Sequence, residues 1–121
     1  MTASARLDVE TARSIERAVL DYYEGWFDAD AARMERAVHP DLVKRKAGEQ
    51  LRIMTAARMI ELTREGEGTA NAGDRRIEIA IDDVHEDIAS VTVEGGPYYE
   101  YLHLVRTSAG WKIANALWRS R

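Results

Sequence analysis

The chain has 121 residues, a length that fits one domain, spanning 1–121, with its own hydrophobic core. It contains no cysteine, which excludes disulfides, thiolate metal sites and a cysteine nucleophile, and fits a reducing compartment. The formal charge of -4 comes from acidic and basic residues mixed along the chain, with no basic stripe to hold a phosphate backbone, so nothing supports nucleic-acid binding. No run approaches the roughly 20 apolar residues that span a bilayer. The N-terminal segment Met1 to Asp8 lacks an apolar signal core, so a cytoplasmic protein with no membrane partner is the expectation.

In chain order, Glu10 to Asp28 reads as a long helix. Ile15, Val19, Tyr22 and Trp26 fall on one face at helical spacing, flanked by Ala12, Ala18 and Tyr23. Asp8 or Thr11 is placed to cap its start. Gly25 costs helix stability, which predicts either a close approach by another element or a loosening before the end. Asp30 caps a second helix, Ala31 to Val38, and His39-Pro40-Asp41 ends it, because proline disfavours helix at the residue before it. Leu42 to Lys46 and Gln50 to Ile53 form a small strand pair around Ala47-Gly48-Glu49. Thr55 caps a third helix, Ala56 to Arg64, with Met59, Ile60 and Leu62 as its apolar residues. Glu65 to Asp74 is a loop by composition.

From Arg75 the period changes to two. Ile77, Ile79 and Ile81 alternate with polar neighbours, as do Ala89, Val91 and Val93. Gly95-Gly96-Pro97 turns into a final hairpin, Tyr98 to Arg106 and Trp111 to Trp118, joined by Thr107-Ser108-Ala109-Gly110. Helices followed by antiparallel strands is the α+β pattern. With Thr107 paired near Gly110, Leu102 faces Asn115, Glu100 faces Leu117 and Tyr101 faces Ala116. One face then carries Leu102, Leu104, Trp111, Ile113 and Leu117, interrupted by Glu100 and Asn115. A carboxylate among core residues must be hydrogen-bonded, neutralised or at the mouth of a cavity. The other face carries Tyr99, Tyr101, His103, Val105, Lys112 and Trp118, an aromatic surface that predicts a homodimer through the sheet.

The order of these pieces resembles a known superfamily. Tyr22-Tyr23-Glu24-Gly25, Asp30, His39-Pro40, Tyr99-Glu100-Tyr101-Leu102-His103-Leu104 and Trp111-Lys112-Ile113-Ala114-Asn115 are similar to the nuclear transport factor 2-like, or SnoaL-like, proteins. Within them the chain resembles most the group known as "putative lumazine-binding". The resemblance implies a cone: about three N-terminal helices packed on a curved antiparallel sheet, dimerising sheet to sheet, with a pocket for a compact cyclic ligand. It also marks two departures. The group usually has Asp where this chain has Glu100, and Lys where it has Ala116.

Three functions follow. The first is a small-molecule-binding protein that holds a ligand between Tyr22, Trp26, His39, Glu100 and Asn115. The second is an isomerase, dehydratase or cyclase without a cofactor. In it Glu100 or His39 moves a proton, and Tyr22 or Asn115 steadies an oxyanion. The third is a domain for association alone, which predicts a cone packed solid. His85-Glu86-Asp87 reads as a solvated turn, and no metal site is expected from its spacing.

Overall fold

The computed structural model describes residues 7–121. Met1 to Arg6, part of the N-terminal segment read above, lie outside the described residues. The elements are α1 (Val9–Asp28), α2 (Ala31–Ala37), β1 (Val38–Lys46), β2 (Arg52–Thr55), α3 (Ala56–Glu65), β3 (Ile77–His85), β4 (Ile88–Gly95), β5 (Tyr98–Thr107) and β6 (Gly110–Ser120). A short 3-10 turn, Glu67–Asn71, occupies the predicted loop.

Helix α1 forms where its apolar stripe predicts. Ile15, Val19, Tyr22 and Tyr23 are buried, and Phe27 extends the stripe by a turn. Asp8 stands at the N-cap, but its carboxylate accepts the Thr11 hydroxyl at 3.1 Å and takes no backbone amide. Gly25 answers to close approach: a Cβ there would sit 3.1 Å from the backbone nitrogen of Met34 in α2. Two arginines of α2 fasten the crossing, with Arg33 and Arg36 each donating to Asp21 of α1 at 2.9 and 3.0 Å. Burial pushes the Asp21 carboxyl up, but Arg36 and Arg33 outweigh it and hold the group below its ordinary value. Asp30 and Thr55 cap α2 and α3 as predicted, accepting the amides of Arg33 at 3.1 Å and Arg58 at 3.2 Å.

The six strands form one curved, unclosed sheet in the order β2-β1-β6-β5-β4-β3, with the helices on its inner face. This is an α+β fold, and one pairing corrects the expected all-antiparallel sheet: β1 runs parallel to β6. Strand β1 also begins earlier than expected. Helix α2 stops at Ala37, and His39 and Pro40 lie within β1 instead of closing a helix. The ladder to β6 is interrupted between Val38 and Val43. Proline fits that interruption, since it has no amide to donate. Leu42, Val91, Val93, Leu102, Leu104 and Ile113 supply the inner face against Ile15, Val19 and Phe27.

The final hairpin keeps its predicted turn, Thr107 opposite Gly110, but not its predicted register. Leu104 pairs with Ile113 and His103 pairs with Asn115, so Ala114 has no partner. One extra residue reverses the facing of everything after it. Ala116 turns inward and is buried. Leu117, expected inside, is 42% exposed. Asn115 faces outward beside His103, and Trp118, expected outside, turns in opposite Glu100.

Candidate functional site

Glu100 is 2% exposed, in the middle of β5 on the inner face. Alternation along β5 puts Tyr98, Glu100, Leu102 and Leu104 on one side, so the carboxylate arrives at the core by strand geometry. Two consecutive tyrosines of α1 receive it. Tyr23 donates its hydroxyl to one Glu100 oxygen at 2.7 Å and Tyr22 donates to the other at 2.9 Å. The two rings meet edge to face, 5.2 Å between centres. Gly95 makes room for this, since a Cβ there would lie 2.4 Å from the Tyr23 ring.

Lys44 completes the group. Strand alternation in β1 turns Leu42, Lys44 and Lys46 inward, and Lys44 pairs with Ala116 across the parallel ladder. Its ammonium lies 3.3 Å from Glu100 and donates to the Tyr22 hydroxyl. It also lies 4.9 Å from the Tyr22 ring centre and 5.3 Å from that of Trp118. Burial first, then the Glu100 charge, pushes the phenols of Tyr22 and Tyr23 well above their ordinary value. Both therefore stay protonated and act as donors. Among the described residues, no buried side-chain polar atom lacks a partner.

Beside this group opens a cavity of about 100 Å³. It is lined by the rings of Tyr22, Tyr23, Trp26, Tyr98 and Trp118, by Met54 and Met59, and by Lys44 and Glu100. The Trp26 indole and the Asn71 amide both donate to the Tyr98 hydroxyl, at 2.9 and 2.8 Å, which ties α1 and the 3-10 turn to β5. The solid cone of the association-only reading is thereby excluded.

The structure brings together three of the five site residues predicted from sequence: Tyr22, Trp26 and Glu100. His39 is apart from them; its ring Nδ1 accepts the Asp41 amide at 3.0 Å. Asn115 is a second correction, on the opposite face of the sheet, 3.5 Å from His103. Tyr23, Lys44, Tyr98 and Trp118 were not anticipated. For Tyr98 and Trp118 a signal exists, since both share the phase of Glu100 once the slip at Ala114 is counted. For Lys44 the signal is its place two residues beyond the apolar Leu42. Among the described residues, no group of three or more His, Asp or Glu side chains is placed to hold a metal, and no helix is long and apolar enough to cross a membrane.

Fold and pocket together define a cone protein of the nuclear transport factor 2-like class. Solved structures of that class superpose over almost the whole chain. A nuclear transport factor 2-like protein of unknown function from Silicibacter pomeroyi gives a TM-score of 0.75 at 19% identity, covering 96% of this chain and 100% of that one. Another, from Methylobacillus flagellatus, gives 0.74 at 17% identity and covers 98% of each. A third, from Shewanella baltica, gives 0.71 at 13% identity, covering 96% and 98%. No curated protein matches the chain. The family model described as "Putative lumazine-binding" matches residues 10–119, and the chain belongs to that family.

Proposed function

We propose that this protein binds a compact planar ring compound in the cavity beside Glu100. The observation that carries the proposal is the cavity's construction: five aromatic rings around a small void that the Lys44–Glu100 pair also lines. Ligand sites are commonly apolar pockets with a few fixed polar groups. The family description points to the same ligand type, a flat heterocycle. Lys44 supplies from β1 an ammonium of the sort the resemblance places at position 116, where this chain has Ala116 buried next to it.

Proton transfer by Glu100 would need a carboxylate oxygen open to the ligand. Both carboxylate oxygens already accept phenols, one also faces Lys44, and the residue is 2% exposed. A general base must reach the proton it removes. His39 is not part of the cavity wall. The test uses lumazine and other compact rings as probes of tryptophan fluorescence, since Trp26 and Trp118 line the cavity. Saturable quenching is expected, and Met59→Trp, which fills the void, is expected to abolish it. The absence of saturable quenching by any ring would overturn the reading.

We also propose that a second copy of the chain covers the outer sheet face. Tyr101 and Leu117, 54% and 42% exposed, sit at its centre with Tyr99 and His103 nearby. Arg45 and Arg119 flank the centre on one side, and Glu78, Glu94 and Asp82 on the other. A two-fold axis through that centre sets each basic flank against an acidic one, the pattern of a self-complementary interface. Sedimentation is expected to give a dimer for the natural sequence and a monomer for Leu117→Asp. A monomeric natural protein would end the proposal. We propose a cytoplasmic location, which a chain without cysteine fits.

A further inference from the structure

The polar atoms of the cavity sort by the hydrogen bonds they have left to give. Glu100 has one oxygen engaged by Tyr22 and Lys44 and the other by Tyr23, and at 2% exposure it has little acceptor capacity left for a ligand. The Tyr22 oxygen donates to Glu100 and accepts from Lys44. The Tyr98 oxygen accepts two N–H groups, from Trp26 and Asn71, which leaves its own hydrogen to give. An ammonium has three hydrogens; Lys44 gives one to Tyr22, pairs with Glu100 at 3.3 Å, and keeps at least one to give. What the cavity presents is therefore mainly donors. A donor-rich ligand would leave these hydrogens unmatched in an apolar enclosure, which costs free energy.

Charge selects further. Lys44 and Glu100 cancel each other inside. Further along the same strand face lies Lys46, its ammonium 5.0 Å from the centre of the Trp118 ring, which Lys44 approaches to 5.3 Å. Lys46 pairs with Arg52 across the β1–β2 ladder, so the two basic residues share that face. Neither takes part in an ion pair among the described residues. The face of β1 and β2 beside the cavity thus carries Lys44, Lys46 and Arg52, with Glu100 the carboxylate that pairs with Lys44.

We infer that the ligand is an anion: a flat conjugated ring bearing a carboxylate or enolate oxygen, which accepts from Lys44 and Tyr98 while Lys46 and Arg52 balance its charge. This rests on the ring-binding reading above and narrows it. Amines and amidines, which bring donors and positive charge, are rejected by the same groups.

The experiment compares three rings of one size: benzoate, benzamide and benzylamine, by calorimetry or tryptophan quenching. Benzoate is expected to bind at least tenfold more tightly than benzamide, with benzylamine not bound. Lys46→Gln with Arg52→Gln lies outside the buried group, so the fold is preserved. That variant is expected to cut benzoate affinity several-fold and leave benzamide unchanged, and added salt should do the same to the natural protein. Equal binding of benzoate and benzamide, or binding of benzylamine, overturns the charge inference and leaves ring binding intact. Failure of all three rings and of lumazine overturns both.

Discussion

Unfolding is expected to become sharply easier as the pH rises above about 10, the range in which free tyrosine titrates. Tyr22 and Tyr23 are 3% and 2% exposed, and burial with the Glu100 charge holds both phenols well above their ordinary value. Below that range the phenols are protonated in the folded and unfolded chain alike, and their contribution is fully present. Above it the unfolded chain loses two protons that the folded chain keeps. The unfolded state then binds fewer protons, and stability falls with pH by about 1.4 kcal/mol per unit for each phenol. Urea midpoints taken from about pH 8 to 11 measure the slope across the ordinary tyrosine range. Tyr23→Phe should remove about half of it. Tyr99, also held up by its neighbour Tyr101, lies on the outer face and serves as the control: Tyr99→Phe should leave the slope nearly unchanged. A slope indifferent to Tyr23→Phe would show that the buried phenols do not stay protonated.

Glu100→Leu is expected to be the most damaging single substitution in the site. It removes the acceptor of two buried hydroxyls and the counter-ion of Lys44 in one step. Breaking a buried ion pair from one side costs about 3–5 kcal/mol, because the remaining charge has no partner. For a chain of this size that is a fall in Tm of at least about 10 °C. Glu100→Gln keeps the volume and one acceptor oxygen, so its loss should be smaller, about 1–3 kcal/mol. The double variant Glu100→Leu with Lys44→Met should recover part of the loss, since it removes both charges. Thermal unfolding of the three variants decides it. If Glu100→Leu were as stable as the natural protein, the carboxylate would not be holding the tyrosines and the lysine together.

Local pattern carried most of the helices and none of the sheet's long-range order. The stripe Ile15, Val19, Tyr22 marks α1, and the oxygen of Asp30 or Thr55 marks a cap, because those signals lie within one turn of the chain. The pairing of β1 with β6 leaves no such trace. The two strands are far apart in sequence, and nothing in Leu42 to Lys46 says which neighbour they take. Lys44 stayed hidden for that reason, although it is the partner of Glu100. Glu100 itself was legible, since a single charge in the apolar phase of a strand is visible from alternation alone. Asn115 and Trp118 were misplaced by the same arithmetic. Counting by twos assumes an unbroken ladder, and the unpaired Ala114 adds one to the count. Tyr23 read as flanking because a helix with tyrosines at two successive positions buries both only when another group, here a carboxylate, waits between them.

The slip at Ala114 makes β6 two strands in service. Trp111 and Ile113, before it, answer to the packing of the helices; Trp118, after it, lines the hollow where a guest would lodge. Each half can drift or be redesigned without consulting the other, so the void can be recut at its far end while the foundation stays as it is. The same device makes one position tolerant of deletion. Losing Ala114 would join Ile113 to Asn115 in an unbroken ladder and leave the indole of Trp118 opposite Glu100, with Leu117 still turned to the outer face.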